Sequence, residues 1–424
     1  MNKKKVFSIG IVLLLFMLST VGGIKAYDFG KIDLQGQTVN VISWTDRLQE
    51  IRDKIPGRIE EAEKRFNCKI VYQGLPYDKM NEGLMNRLLA GESTLDIWNI
   101  NHEIFWKLLP QNVFAPVNDV LNEQYYQRLP QEHQNTMNVL SYQGKKYGFS
   151  TFGTLFGAMR FVIFNKDMFE NAGLQNPHYY YQQGEWTWEK AAELAKALTK
   201  DNNGDGEIDQ YGFGHIWRYD LVLANGSRLT REKDQQRIFS MDEPAALEAF
   251  ETYYRWSSVE GIAELGDNSG DNFRDGRYAM QPIEVWRIHW IRGGFNFEFG
   301  IVPLPLGPKA ERYAYPQLSM ETFVLPANAQ EKKALIAVAD FLWQPDDYDT
   351  QDYIVENAPD RLSASIWWEG LQTWDGDILM LSSILPDEWE EAMEAIENAD
   401  KTPAAAIAEV KGKVQASIND LFNY

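Results

Sequence analysis

Apolar and polar positions alternate along this chain in two periods. A β-branched run at 38–43, Thr-Val-Asn-Val-Ile-Ser, predicts a strand that ends at Trp44. A charged helical pattern follows over 51–66, then a second strand at 69–73, a helix over 77–89 that stops at Ala90-Gly91, and a third strand at 94–99. Strand, helix, strand, helix, strand is the layout of an α/β fold with a parallel sheet. Downstream, Gly144 to Phe149 leads to a strand over 161–164, an amphipathic helix over 187–198 and a long helix over 245–256. A strand over 299–302 is ended by Pro303 and Pro305, since proline offers no ladder donor. The last sixty residues read as mostly helical, closing with 404–422. No internal repeat, low-complexity segment or long flexible linker interrupts the chain, so two lobes would have to be joined by crossing strands.

The first residues add a compartment. Lys3, Lys4 and Lys5 precede an apolar run from Val6 to about Leu18, and small and turn-forming residues continue to Ala26. This order is that of a secretory leader, residues 1–26, with cleavage expected after Ala26. Residues 6–24 also approach a membrane-spanning length, so an uncleaved anchor stays open, although Ser8, Gly10, Ser19 and Thr20 dilute the run. The single cysteine, Cys68, cannot form an internal disulfide and reads as a buried thiol; no lipid-attachment cysteine stands near the leader's end. The formal charge is −20, and loss of Lys3, Lys4, Lys5 and Lys25 makes it −24, which makes nucleic acid and anionic membrane surfaces poor partners. With 424 residues and 44% hydrophobic content, two globular lobes can each bury a core. Fourteen tryptophans are the unusual feature: tryptophan in excess of packing needs often lines sites for ligands with apolar faces and polar rims, although most of these rings are expected in the core.

Four blocks, in order, carry a resemblance across nearly all of the chain beyond the leader. They are Ala90-Gly91-Glu92-Ser93-Thr94-Leu95-Asp96-Ile97 with Phe114 to Val117; Gly144 to Phe149 leading to Phe164-Asn165-Lys166-Asp167-Met168-Phe169-Glu170-Asn171-Ala172-Gly173-Leu174; Trp186 to Ala192 through Asp209 to Phe213; and Phe273-Arg274-Asp275-Gly276-Arg277-Tyr278-Ala279-Met280 with Trp286. The chain resembles the family 1 extracellular solute-binding proteins of ABC importers, the maltose-binding-protein-like group. That resemblance implies a periplasmic-binding-protein fold: two α/β lobes joined by hinge strands, with the ligand in the cleft between them. It places lobe 1 at 27–149 plus 319–358 and lobe 2 at 150–318 plus 359–424. The chain would cross near 150–154, 318–320 and 358–362.

A sugar has hydroxyls around its edge and C–H patches on its faces, so its site needs planar polar groups and aromatic rings. Trp44 and Thr45 follow the first strand, where an open α/β sheet places ligands. Asn99, Asn101 and Glu103 follow the third strand, in what resembles the family's ligand-contacting loop, with Asp96 as an anchor. Trp286 resembles the position of a stacking tryptophan, with Glu284 and Arg287 beside it. Phe152 at the first crossing and Ser319 and Glu321 at the second could reach the same cleft. Trp367 is a further candidate ring, although a tryptophan on a helix, like Trp368 and Trp389, more often packs a core.

Asp201, Asn203, Asp205, Glu207 and Asp209 match the first nine positions of an EF-hand-type calcium loop, but the twelfth is Gly212 and the bidentate glutamate is missing. A weak Ca2+ site and a metal-free acidic turn both stay open, the turn being favoured; no cofactor is otherwise required. Tyr179, Tyr180 and Tyr181 read as a solvated loop. No nucleophile elbow, zinc motif, P-loop or Cys/His cluster is present, and carboxylate pairs such as Asp375 and Asp377 are too common here to specify a glycosidase. The role the resemblance implies is non-enzymatic: an exported monomer, in the periplasm or on the extracellular face of the membrane, that binds a mono- or oligosaccharide and delivers it to ABC permease subunits. Another polar solute, a polyol phosphate or a peptide, is the alternative, and a secreted polysaccharide-acting enzyme a more distant one.

Overall fold

A computed structural model of the chain describes residues 27–129, 133–134, 137, 140–149, 159–234, 236–265, 269–317, 320–344, 350–373 and 385–422. The leader, Phe152, Ser319 and the 150–154 crossing lie outside them.

Fourteen strands are present among the described residues. β1 (Thr38–Ser43), β2 (Lys69–Gly74), β3 (Asp96–Asn101) and β4 (Phe114–Ala115) precede a small hairpin of β5 (Ser141–Tyr142) and β6 (Lys145–Lys146). β7 (Arg160–Asn165), β8 (Tyr211–Gly214), a second hairpin of β9 (Thr230–Lys233) and β10 (Gln236–Phe239), β11 (Ala263–Glu264), β12 (Tyr278–Glu284), β13 (Phe299–Val302) and β14 (Glu321–Pro326) follow. Two five-stranded sheets form. The first has the order β2-β1-β3-β14-β4, with β1 parallel to β2 and β3 and β14 antiparallel to β3. The second has the order β11-β8-β12-β7-β13, with β12 parallel to β8 and β7 antiparallel to β12 and β13. β14 returns to the first sheet after the second is complete, so the chain crosses between them.

The elements follow from local chemistry. The helix expected over 51–66 is two, Arg47–Lys54 and Arg58–Phe66, because Pro56 and Gly57 intervene and Gly57 adopts a φ of 91° that only glycine takes cheaply. Asp46 starts the first by accepting the Leu48 and Gln49 amides, each at 3.0 Å. The tyrosine run is not a loop: Asn176 caps a helix Pro177–Gln183 that Gly184 terminates in the left-handed region. β7 and β12 are buried at every position, as strands covered on both faces are. Pro282 is tolerated inside β12 because the ladder to β8 covers only Tyr278 and Met280 and has ended before it.

One apolar cluster lies under the first sheet, with Val39, Val41, Ile97 and Phe323 against the helix Lys332–Leu342; Cys68 is buried in it, and burial pushes its thiol up to about 11. A larger cluster runs through the second sheet and its helices and takes in the other face of the first sheet at Ile42, Trp98 and Ile100. The helix Thr350–Asn357 contacts the second body: Tyr353 packs edge-on against Trp367 at 5.9 Å, and Asn357 Oδ1 meets His289 Nδ1 at 3.2 Å. This helix, placed before the 358–362 crossing expected from the sequence, thus packs against residues on that crossing's far side. No described helix is long and apolar enough to cross a membrane.

Candidate functional site

In a sheet of this topology the strand ends that share one edge gather the loops that can hold a ligand. In the first sheet that edge collects the ends of β1 and β3 and the start of β14, since Glu321 lies opposite Asn101. Asn99 is buried and fully engaged: its Oδ1 accepts from Ser43 Oγ (3.0 Å) and Arg47 Nε (2.9 Å), and its Nδ2 donates to the Thr322 carbonyl (3.3 Å). Arg47 continues to Glu50 Oε1 (2.8 Å) and to Glu321. Burial pushes the Glu321 carboxyl above the ordinary carboxylate range; Arg47 pulls it back and Glu50 adds to the rise.

Asn101 caps the helix His102–Leu108 by accepting the Ile104 amide (3.0 Å), and its Nδ2 donates to Tyr77 Oη (2.7 Å). Tyr77 donates in turn to Glu103 Oε2 (2.9 Å), and its ring stands edge-on to Trp44 with centroids 5.4 Å apart. Burial and the neighbouring Glu103 carboxylate push the Tyr77 hydroxyl up to about 12. Trp44 is partly buried, with the Arg47 guanidinium 5.8 Å from its centroid, while Thr45 and Glu103 are exposed. Trp44, Thr45, Glu103 and Glu321 thus face one edge, whereas Asn99 and Asn101 brace it from within. Asp96 sits at the opposite end of β3, holding Arg87 at 2.8 and 3.0 Å.

The second sheet presents the ends of β8 and β12 and the start of β7. Arg160, 1% exposed, donates through Nε to Asp220 Oδ1 and through Nη1 to Glu284 Oε1, both at 2.8 Å, and through Nη2 to the His215 carbonyl at 3.3 Å. Asp220 Oδ2 accepts the Trp217 amide (2.9 Å), fixing that ring at the start of the helix Arg218–Ala224. Glu284 Oε2 accepts from Arg287 Nε (2.7 Å), whose guanidinium lies 4.2 Å from the Trp286 centroid. Burial pushes Glu284 up, but Arg160 and Arg287 outweigh it and hold the carboxyl below its ordinary value; burial keeps Asp220 above its own against the pull of Arg160. One buried arginine therefore anchors the mounts of two partly exposed tryptophans.

The edges are close in the chain. Gln317 pairs with Met159, next to Arg160, and Glu321 stands four residues later, a reach of at most about 14 Å. The Val285 amide also donates to the Met159 carbonyl at 3.0 Å. Across both edges the carboxylates Glu50, Glu103, Glu321, Asp220 and Glu284 outnumber the guanidiniums Arg47, Arg160 and Arg287, and each of these guanidiniums is already paired with a carboxylate.

Trp367 does not join this group. It is 1% exposed and packed against Phe161 and Tyr353, a core ring in place of the expected cleft contact. Trp389 is likewise buried, donating to Tyr219 Oη at 2.5 Å. Tyr77, Arg47, Arg160 and Trp217 were not picked out from the sequence; Tyr77 and Trp217 carried a signal, each a ring three residues after a strand end. In the 201–209 loop, Asp201 accepts the amides of Gly204 (2.6 Å) and Gly206 (2.8 Å), Asp205 that of Glu207 (2.8 Å), and Asp209 those of Asn202 (2.7 Å) and Asn203 (3.2 Å). These carboxylates are turned onto their own backbone. No cluster of three or more His, Cys, Asp or Glu side chains able to hold a metal occurs among the described residues.

The profile of the bacterial extracellular solute-binding proteins matches residues 57–352. A binding protein of Brucella abortus is 24% identical over 318 residues, covering 70% of this chain and 71% of its own. Among solved structures, the maltose/maltodextrin-binding domain of Bdellovibrio bacteriovorus bound to maltotriose is 14% identical with a TM-score of 0.64, covering 91% of this chain and 100% of its own. UgpB of Mycobacterium tuberculosis in complex with glycerophosphocholine is 17% identical with a TM-score of 0.65, covering 90% and 98%.

Proposed function

From the premise that this chain belongs to the bacterial extracellular solute-binding proteins, we propose that it holds a neutral mono- or oligosaccharide between its two sheet edges and delivers it to the permease of an ABC importer. The observation that carries this reading is the makeup of those edges. Rings at Trp44, Tyr77, Trp217 and Trp286 are interleaved with carboxylates at Glu103, Glu321 and Glu284, which matches C–H faces and hydroxyl rims. A fold neighbour that holds maltotriose supports the sugar. The neighbour with glycerophosphocholine keeps an anionic solute in view, but the guanidiniums at these edges are already paired with carboxylates, so a phosphate would meet a surplus of negative charge.

The chain acts as an exported monomer without catalysis, its lobes closing on the ligand about the crossings between the sheets. The acidic 201–209 loop serves as a metal-free turn. Thermal unfolding with a panel of neutral and phosphorylated sugars tests the assignment. A ligand at one hundred times its Kd adds about 2.7 kcal/mol to stability, and it is recovered chemically intact. Stabilisation by phosphorylated solutes alone, or turnover of a glycan, refutes the reading.

A further inference from the structure

Trp290 is 76% exposed, an unusual state for the largest apolar side chain. It stands on the helix Val285–Ile291, which leaves the ligand edge directly after β12. The helix itself is well anchored: Val285, Ile288 and Ile291 are buried, His289 meets Asn357, and Arg292 Nη1 donates to the Asn357 carbonyl at 3.2 Å. Trp290 therefore projects from a fixed element. It stands four positions after Trp286, the spacing of neighbours on one helix face, and the two rings meet edge to face with centroids 4.8 Å apart and planes at 78°.

Arg287, held by Glu284, covers one face of Trp286 at 4.2 Å, and Trp290 adjoins the same ring. The open apolar surface on this helix belongs to Trp290. We propose that Trp290 forms an outer stacking subsite for the glycosyl unit next to the one held at Trp286, so that the ligand is an oligosaccharide of two or more units. This rests on the carbohydrate reading above and adds ligand length to it. A monosaccharide at the sheet edge gains nothing from a ring one helical turn further out, whereas each added unit brings a C–H face to it.

Calorimetric titration of the full chain with glucose, maltose, maltotriose and maltotetraose, and with mannose, mannobiose and mannotriose, tests the subsite. Affinity in the series that binds rises with length. Trp290→Ala lowers the ratio of the longest sugar's affinity to the monosaccharide's by about tenfold, the scale of one aromatic contact. Trp290→Phe retains most of that ratio. An unchanged ratio in Trp290→Ala, or a wild-type protein that binds no oligosaccharide more tightly than its monosaccharide, overturns the subsite and leaves the sugar reading standing. A wild-type protein that binds none of these sugars overturns both. Loss of cellular sugar uptake in Trp290→Ala with an unchanged affinity ratio also overturns it, assigning the ring to contact with the permease.

Discussion

Replacing Arg160 with methionine keeps most of the side-chain volume and removes the cation shared by Asp220 and Glu284. Both carboxylates are buried, with side chains 1% and 7% exposed. Breaking a buried ion pair from one side typically costs about 3–5 kcal/mol, because the remaining charge is left uncompensated. Here each carboxylate keeps one other donor, Trp217 N for Asp220 and Arg287 Nε for Glu284, so the lower end is expected, about 3 kcal/mol. For a cooperative unit of 150–250 residues that is a fall in Tm of roughly 6–12 °C. The loss depends on pH with a defined sign. Burial already holds the Asp220 carboxyl above its unfolded value against the pull of Arg160, so without Arg160 it rises further, and such a group loses stability as pH rises from the unfolded toward the folded pKa. The variant's deficit is therefore larger at pH 7 than at pH 5. Urea unfolding at both pH values, followed by circular dichroism, measures it, and the triple variant Arg160→Met, Asp220→Asn, Glu284→Gln recovers part of the loss. A deficit under about 1 kcal/mol, the range of an exposed pair, or one that is the same at both pH values would refute the reasoning.

Trp44→Ala lowers affinity for the bound sugar by roughly tenfold in calorimetric titration with little change in Tm, whereas Trp367→Ala costs about 3–5 kcal/mol of stability, read by urea unfolding, because its ring fills a closed core. Burial pushes the His133 imidazole down to about 4 from an ordinary 6.5, so the unfolded chain takes up a proton that the folded chain refuses. Its contribution is complete above pH 6.5 and is lost as pH falls toward 4, up to roughly 3 kcal/mol, and His133→Gln flattens that limb of the stability profile. Millimolar calcium leaves the Tm of the protein unchanged if the 201–209 loop is closed by its own amides; a rise with calcium that Asp201→Asn abolishes identifies a metal site instead.

Most of the fold was legible because its signals are local. The run at 38–43 and the run at 299–302 become β1 and β13 with the expected bounds, since alternation and flanking breakers act within a few residues. The helix misread as one over 51–66 failed at Pro56 and Gly57, which are visible punctuation that a charged helical pattern masked. The tyrosine run failed for a similar reason: composition suggested a loop, yet Asn176, Pro177 and Gly184 supply a start and a stop for a helix.

The site divides along the same line. Trp44 could be named from its place at a strand end, and Glu103, Glu284, Trp286 and Glu321 through the family resemblance; all five do lie at the two edges. What position cannot give is which of them are free to meet a ligand. Asn99 has the right chemistry for a sugar hydroxyl, but its oxygen is taken by Ser43 and Arg47, 56 and 52 residues away in the chain. Arg160 finds its partners 60 and 124 residues away, and Arg47 reaches Glu321 across 274. Each of these arginines does the same physical work on its own sheet: it neutralises carboxylates that must sit at a partly dry edge, and it thereby fixes the aromatic ring beside them. Rigid rings lose little conformational freedom when a ligand stacks on them, so under the proposed function the buried pairs would contribute to affinity through order already present in the empty protein. This predicts that ligand binding and stability fail together in Arg160→Met, although the arginine itself is buried too deeply to touch a sugar.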